Sequence, residues 1–192
     1  MMVISIARSG DMASVFVSGC PLKCGYCLYN RQDRKEMTLE KVVTEMTAQT
    51  VKRAFIGGMD PAMQGKEVKA LAKVLTQRGV TVSLKTSGND PNFLKEVLNY
   101  ADRFVFEIKA PLDDRETWSK LIGKDLEWTT AYLENLKTSL GIVKGKYVKI
   151  SMRVIPGFID QAKIERIGEQ MRPCAKESTI IQFLGNMLND YP

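Results

Sequence analysis

Three cysteines lie close together in residues 18–27, which read Ser-Gly-Cys-Pro-Leu-Lys-Cys-Gly-Tyr-Cys. Cysteine thiolates are the usual protein ligands of iron–sulfur clusters, and a [4Fe-4S] cluster takes one ligand on each iron. Cys20, Cys24 and Cys27 can therefore hold three irons and leave the fourth for a ligand that is not protein. This open iron is the strongest functional indication in the sequence, and residues 18–27 are called the cysteine loop below.

Clustered cysteines have two other common uses, in zinc sites and in disulfides. A structural zinc site needs a fourth cysteine or a histidine, and because the chain has no histidine, only Cys174 could complete one. Disulfide frameworks are typical of small secreted domains, whereas this chain has 192 residues. We therefore expect a cluster, with a zinc-binding module that is not an enzyme as the alternative from a different class.

The composition predicts one globular domain over residues 1–192, since 44% of the residues are hydrophobic and a chain of this size can bury a sizeable core. No apolar run approaches the roughly 20 residues of a membrane span. Free thiols that await a cluster fit a reducing compartment, so we expect a cytoplasmic protein. The formal net charge of +6 favours acidic partners, but the scattered lysines lack the interleaved aromatics of a nucleic-acid surface.

Extended and helical apolar patterns alternate along the chain. The pattern predicts helices near residues 39–46, 68–75, 90–98, 133–140 and 164–171, and six short strands at residues 15–17, 54–56, 80–84, 104–106, 148–154 and 180–183. Strands that alternate with helices predict an α/β fold with a parallel sheet and right-handed crossovers. Periodicity alone does not separate a partial barrel from a doubly wound sheet.

Polar or glycine-rich segments follow the carboxyl ends of five predicted strands, the edge at which α/β folds collect their active groups. We expect them to meet at one rim. Besides the cysteine loop they are Gly-Gly-Met-Asp-Pro at 57–61, Thr-Ser-Gly-Asn at 86–89, Glu-Ile-Lys at 107–109 and Arg-Val-Ile-Pro-Gly at 153–157.

The cysteine motif, Cys-x-x-x-Cys-x-x-Cys with the aromatic Tyr26 before the last cysteine, resembles that of the radical S-adenosylmethionine (SAM) superfamily. The resemblance implies a partial (β/α)6 barrel, a [4Fe-4S] cluster on the three cysteines, and SAM chelated to the open iron. It also implies an anaerobic oxidoreductase chemistry in which SAM is cleaved to a 5′-deoxyadenosyl radical that abstracts hydrogen from a substrate. Tyr26 would lie along the adenine or shield the cluster.

The segment at 57–61 resembles the Gly-Gly-Glu-Pro of radical SAM proteins, which meets the amino group of SAM. Aligned on the proline, the resemblance gives the acidic role to Asp60, and aligned on the glycines it gives that position to Met59. We prefer Asp60, because a carboxylate can pair with an ammonium. Gly57 and Gly58 would be positions of close approach to the cofactor.

The remaining strand ends resemble those of glycyl-radical-enzyme activating enzymes such as pyruvate formate-lyase activating enzyme. Thr86, Ser87 and Gly88 match their Thr-Asn-Gly, and Glu107 and Lys109 match their Asp-x-Lys, with Lys109 suited to the SAM carboxylate. From the residues alone, an inward salt bridge near the strand end is the alternative for Glu107 and Lys109. Arg153 belongs to a segment that lies beside the SAM nucleoside in those enzymes.

The resemblance to activating enzymes departs at two points. Lys85 stands where they commonly carry an acidic residue, which puts a cation site there in doubt. They also often place a histidine after the Pro-Gly segment, and this chain has none.

The leading functional prediction is an activating enzyme that abstracts hydrogen from a backbone glycine of a partner glycyl radical enzyme. The alternatives are a small-molecule radical SAM enzyme similar to 7-carboxy-7-deazaguanine synthase, or a peptide-modifying one. Because Cys174 is the only spare thiol, electrons should come from an external flavodoxin or ferredoxin. The chain ends soon after the last predicted strand, so we expect an open barrel that suits a protein substrate.

Overall fold

Residues 1–182 are described by a computed structural model as a single eight-stranded sheet with six α-helices. The strands are β1 (Met2–Ser9), β2 (Met12–Val17), β3 (Lys35–Glu36), β4 (Arg53–Gly58), β5 (Thr81–Thr86), β6 (Arg103–Ile108), β7 (Tyr147–Val154) and β8 (Glu177–Gln182). The helices are α1 (Leu39–Met46), α2 (Gly65–Gln77), α3 (Pro91–Val97), α4 (Arg115–Ile122), α5 (Leu126–Ile142) and α6 (Gln161–Met171). None of these helices combines the length and hydropathy that spanning a membrane requires.

The strand order β3-β1-β2-β4-β5-β6-β7-β8 distinguishes between the two predicted architectures. The six strands from β2 to β8 are parallel, and each lies beside the parallel strand that precedes it in the chain. A doubly wound sheet would reverse this order at a switch point. Here the winding continues in one direction, and the helices form one layer in which α1 contacts α2, α2 contacts α3 and α3 contacts α5. The α/β fold is thus an open partial barrel, as predicted.

All six predicted strands are present, although Phe183, the predicted end of the last one, lies outside the described residues. The end of the chain, on which the expectation of a protein substrate rested, lies outside them too. Helix α4 and the antiparallel strands β1 and β3 were not predicted from the sequence. β1 pairs with β2 through a tight turn at Gly10, where φ is +57°. Its only fully buried residue is Val3, so a strand near the sheet edge shows little of the hydrophobic alternation that identifies buried strands.

Side-chain caps fix where most helices begin and therefore where the loops at the carboxyl edge end. Asp90, Asp114, Asp125 and Asp160 each accept a hydrogen bond from a backbone amide three residues later, at the starts of α3, α4, α5 and α6. Each of these bonds satisfies an amide that has no partner within the helix. The loops that carry the predicted site residues are consequently short and closed at their far end.

Gly58, the last residue of β4, offers a sharp test of this packing. Its φ is +99°, and a Cβ there would lie 2.5 Å from the carbonyl oxygen and 2.7 Å from the nitrogen of Val17. We expect Gly58→Ala to lower the free energy of unfolding by more than about 3 kcal/mol, because a backbone neighbour inside a paired strand cannot move aside.

The matched control is Gly145→Ala. Gly145 has a similar φ of +92° but no atom within 4 Å of the added carbon, so only backbone strain of about 1 kcal/mol is expected. Urea unfolding of both variants measures the difference, and equal losses would show that the close approach of β4 to β2 is unimportant.

Candidate active site

A cavity of about 240 Å³ opens at the carboxyl ends of the parallel strands. Its wall is built from the cysteine loop, from the 3₁₀ turn Leu28–Arg31 that follows it, and from the ends of β4, β5, β6 and β7. Most residues that the sequence predicted for the site line this cavity. They are Cys20, Cys24, Cys27, Tyr26, Gly58, Ser87, Glu107, Lys109 and Arg153.

Three predicted residues lie behind the cavity wall instead. Gly57 packs against Phe55, so that a Cβ would lie 2.4 Å from the ring. Gly88 packs against α5, where a Cβ would lie 2.7 Å from Leu136. Asp60 is completely buried, and it is its neighbour Met59 that reaches the cavity.

The cysteine loop is held by the turn that follows β4. The amide of Met59 donates to the carbonyl of Val17 at 3.0 Å, and the amide of Asp60 donates to the carbonyl of Gly19 at 2.8 Å. In return, the amide of Gly19 lies 3.3 Å from the Met59 sulfur, and the Gln64 side chain donates to the Ser18 carbonyl at 2.8 Å. The residues just before Cys20 therefore have a fixed backbone.

The far side of the cysteine loop is tied to α4. The amide of Lys23 donates to the carbonyl of Ile122 at 2.8 Å. Gly123 ends α4 with a φ of +63°, and a Cβ at this position would lie 2.7 Å from the Lys23 carbonyl. The loop is thus braced at its start and at Lys23, near its middle.

The donor set fits a four-iron cluster. Cys20, Cys24 and Cys27 face one cavity and are free thiols, and each can take one iron. Within residues 1–182, no three cysteine or acidic side chains lie close enough together to surround a single metal ion. A cluster does not require this, because each cysteine binds a different iron.

The zinc alternative needed Cys174, and the structure keeps that residue away from the cavity. Cys174 precedes β8, at the amino edge of the parallel strands, and its thiol donates to the carbonyl of Met171. A six-residue strand spans about 20 Å, so Cys174 lies at the opposite edge of the sheet from the cysteine loop.

Burial in this wall raises the pKa of two thiols, those of Cys20 and Cys24. Desolvation raises the pKa of Cys20 to about 12, despite a backbone hydrogen bond from Leu22 that favours the thiolate. Desolvation also raises the pKa of Cys24, partly offset by the ammonium of Lys109 and a hydrogen bond with Tyr26. Iron ligation requires thiolates, so cluster binding displaces these protons.

Asp60 joins the ends of β4 and β5. Its carboxylate accepts hydrogen bonds from the Thr86 hydroxyl at 3.1 Å, from the Ser87 hydroxyl, and from the Ala62 amide at 3.3 Å. Burial raises its pKa, although these three bonds act in the opposite direction. The carboxylate thus satisfies polar groups inside the wall, and its role toward a cofactor stays a prediction.

The loop after β5 is also held from α5. The Tyr132 hydroxyl donates to the carbonyl of Ser87 and the Ser139 hydroxyl to the carbonyl of Gly88, both at 2.8 Å. Tyr132 in turn contacts two tryptophan rings, with centroid distances of 5.5 Å to Trp118 and 5.7 Å to Trp128. Ser87 is therefore positioned from both sides of its loop.

Glu107 is the centre of the charged wall. Its carboxylate lies 2.9 Å from the Lys109 ammonium, 3.0 Å from the Lys85 ammonium and 3.6 Å from Nε of Arg153. Burial opposes ionisation, but the three cations outweigh it and hold the pKa of Glu107 well below its usual range. The same pairing raises the pKa of Lys109 although that side chain is buried, so both groups are charged at neutral pH.

Tyr26 lies against this cationic wall. The ammonium of Lys109 is 5.3 Å and the guanidinium carbon of Arg153 is 6.0 Å from its ring centroid. Cations at such distances are attracted by the ring face. Tyr26 thus connects the cysteine motif to the ends of β6 and β7.

Several residues of the cavity were not identified as site residues from the sequence. Lys85 was noted only as a departure from the resemblance, Thr86 lay in the segment expected at the rim but was given no role, and Tyr29 and Gln32 were not predicted there, yet all four line the cavity. The signal for Lys85 was available, because it immediately precedes a predicted strand-end segment. Tyr29 and Gln32 reach the cavity through the 3₁₀ turn after Cys27, which no local pattern predicts.

The bridging role of Asp60 gives a testable expectation. Asp60→Ala should lower the free energy of unfolding by about 2–4 kcal/mol, because the buried hydroxyl of Thr86 and the half-buried hydroxyl of Ser87 lose their acceptor. The control Asp90→Ala removes a carboxylate that caps one helix and should cost about 1 kcal/mol. Urea unfolding compares the two, and a loss at Asp60 no larger than at Asp90 would mean that the bridge contributes little.

Comparison with known proteins agrees with this geometry. A profile of the Radical SAM superfamily matches residues 14–168. A protein of Methanocaldococcus jannaschii named a glycyl-radical enzyme activating enzyme is 22% identical over 167 residues, which are 84% of this chain and 69% of that protein. A protein of Haemophilus influenzae with the same name is 24% identical over 116 residues, covering 55% of this chain and 44% of that protein.

A shorter match is closer in sequence. The 7-carboxy-7-deazaguanine synthase of Methanospirillum hungatei is 35% identical over 77 residues, which are 39% of this chain and 33% of that protein. This chain thus spans less than half of the length of two of the three relatives.

Solved structures share the fold. TYW1 with a lysine–pyruvate adduct bound has a TM-score of 0.69 at 16% identity over 94% of this chain and 67% of its own. HydG, a maturase of the [FeFe]-hydrogenase, has a TM-score of 0.67 at 16% identity over 94% of this chain and 45% of its own. The profile match over most of the chain and the three cysteines in one cavity lead to one conclusion: this chain belongs to the radical SAM superfamily, which uses a [4Fe-4S] cluster and SAM.

Proposed function

We propose that this protein is an activating enzyme that removes a hydrogen atom from a backbone glycine of a partner glycyl radical enzyme. The observation that carries the proposal is the similarity to a protein named as such an enzyme over 84% of this chain. The strand-end segments at Ser87, Glu107 and Lys109 support it, because they match the activating-enzyme pattern and three of their side chains face the cysteines across one cavity.

The cluster would be held by Cys20, Cys24 and Cys27, and together with SAM it supplies the one-electron chemistry that the protein's own side chains cannot. The protein's side chains then have two tasks, to position the cofactors and to exclude water from them. Lys109, whose pKa is raised by Glu107, is a permanent cation suited to the SAM carboxylate. Tyr26 would cover the cluster on the side of Lys109.

For the amino group of SAM, the backbone of Gly58 and Met59 is the better candidate contact, because both residues line the cavity whereas Asp60 is buried. Asp60 would support that contact from behind, through the turn that it caps. Ser87 would complete the wall beside it. Arg153 would lie near the nucleoside.

Electrons would come from an external flavodoxin or ferredoxin. The formal net charge of +6 favours an acidic donor by long-range attraction. A cytoplasmic location would suit the four free cysteines, since reducing conditions keep thiols available for iron.

A second candidate is a small-molecule radical SAM enzyme. It is favoured by the 35% identity to 7-carboxy-7-deazaguanine synthase over 77 residues, the highest identity among the relatives described above. The two candidates share the cofactors and differ in the source of the hydrogen atom.

The cluster assignment is tested by iron content. After anaerobic reconstitution, the wild-type protein should hold about four irons per chain, and Cys24→Ser should lose most of them together with SAM cleavage. Cys174→Ser is the control, because that thiol lies away from the cavity, and it should keep both. Zinc in place of iron in the wild-type protein, or iron loss in Cys174→Ser, would contradict the assignment.

The hydrogen source is tested by isotope transfer. A candidate glycyl radical enzyme is prepared with glycine deuterated at its α carbon and incubated with this protein, SAM and a reductant. We expect deuterium in 5′-deoxyadenosine and a glycyl radical signal in electron paramagnetic resonance. If 5′-deoxyadenosine acquires deuterium only from a labelled small molecule, the result would contradict the activating-enzyme proposal and favour the second candidate.

A further inference from the structure

The cavity carries more positive charge than its own acidic groups balance. Lys85, Lys109 and Arg153 all line it, and among the described residues of its wall Glu107 is the one carboxylate. All three contact Glu107, so three cations share one anion and the wall has a net charge of plus two. Asp60 cannot offset them by contact, because it lies behind the wall with its carboxylate bound to hydroxyls.

The cofactors do not remove this excess. A [4Fe-4S] cluster in its resting state carries two positive charges against three thiolates, a net charge of minus one. SAM carries a sulfonium, an ammonium and a carboxylate, a net charge of plus one. The two therefore cancel, and the wall keeps its surplus when both are bound. This step rests on the proposed function, since it takes both cofactors as present.

Two of the three cations have donors to spare. Lys109 is nearly enclosed, with 8% of its side chain exposed, contacts Glu107 and Tyr26, and is the cation assigned above to the SAM carboxylate. Lys85 and Arg153 are each 21% exposed. Lys85 uses one of three ammonium hydrogens on Glu107. Nε of Arg153 is buried 3.6 Å from a carboxylate oxygen of Glu107, so the donors that Arg153 can offer to the cavity are its Nη groups, which make no hydrogen bond with the described residues.

The two available cations flank the same carboxylate from opposite sides. Lys85 lies on β5 and Arg153 on β7, the two neighbours of β6, which carries Glu107. Lys85 bonds to one oxygen of Glu107 and Arg153 approaches the other. Their remaining donors can therefore converge on a second anion placed over Glu107 from the cavity side.

Closing a neutral group over this wall would be costly. Ionised side chains that lose water without gaining a partner are strongly destabilised. A carboxylate on the incoming molecule would replace that water with charge-assisted hydrogen bonds. The wall therefore discriminates in favour of an anionic group.

We propose that the substrate presents a carboxylate to Lys85 and Arg153. In an activating enzyme this carboxylate is an acidic side chain next to the target glycine of the partner protein. A free organic acid would offer the same chemistry to the same two side chains.

The test measures binding without turnover. The protein is reconstituted with its cluster, saturated with SAM and kept without reductant, and matched probe pairs are titrated at low salt. One pair is a peptide with Gly-Glu at its centre and the same peptide with Gly-Gln, and the other is nicotinate and nicotinamide. In at least one pair the acid should bind about ten- to hundredfold more tightly, as a charge-assisted hydrogen bond allows.

Variants identify the residues responsible. Lys85→Met and Arg153→Gln should each reduce the preference for the acid at least about fivefold, and Lys85→Arg, which keeps the charge, should restore most of it. Lys73→Met removes an exposed lysine on α2 and should leave the preference unchanged. Thermal unfolding of every variant checks that the fold is retained, and Lys85→Arg serves as the folded reference if Lys85→Met is unstable.

The outcomes separate the alternatives. Preference for the acid in the peptide pair points to a protein-borne carboxylate, whereas preference only for nicotinate points to a free acid. Equal binding of acid and amide in both pairs, or a preference that survives Lys85→Met and Arg153→Gln, would overturn the proposal. Failure of SAM cleavage with reductant would instead refute the proposed function, and it leaves this binding result readable on its own.

Discussion

The pairing of β2 with β4 does not stop where the two strands end. The amides of Met59 and Asp60 continue it by donating to the carbonyls of Val17 and Gly19, and Gly58 allows the backbones to approach because it has no side chain. The first cysteine follows directly at Cys20. A parallel ladder, which is rigid and buried, therefore sets the backbone from which a metal ligand is presented, and the rest of the cavity wall is arranged around this fixed loop.

The electrostatics of the wall follow from one carboxylate. Without Glu107, the buried ammonium of Lys109 would lose the partner that keeps its charge in place, and Lys85 and Arg153 would have no shared centre. Burying an ion is tolerable only with a close partner. Glu107 thus allows three cations to stand in a small cavity beside ligands that become thiolates.

Much of the site was predictable because parallel strands bring their carboxyl ends to one edge. Polar segments after five strands identified that edge, and the cysteine spacing identified its chemistry. Which of Met59 and Asp60 faces the cavity was not predictable from the sequence. Consecutive residues at the end of a strand point in different directions, and which one faces the cavity depends on the φ of +99° at Gly58, a property that a glycine permits but does not specify.

Other omissions have similar causes. Val3 is the only fully buried residue of β1, because this strand lies near the edge of the sheet and pairs with the two-residue strand β3. The hydrophobic alternation that would predict the strand is therefore missing. Lys85 looked like an isolated departure in the sequence. Its role as a partner of Glu107 could not be predicted, because Glu107 lies on the neighbouring strand, 22 residues away along the chain.

The contact of α5 with the loop after β5 has a spectroscopic consequence. Trp118 and Trp128 are the two tryptophans of the chain, and both rings contact Tyr132, whose hydroxyl holds the carbonyl of Ser87. All indole emission from these residues therefore originates within one aromatic group, whose Tyr132 hydroxyl donates to the loop that carries Ser87. Tryptophan fluorescence should therefore report on changes beside the cavity, because the sequence contains no other tryptophan whose emission would mask them.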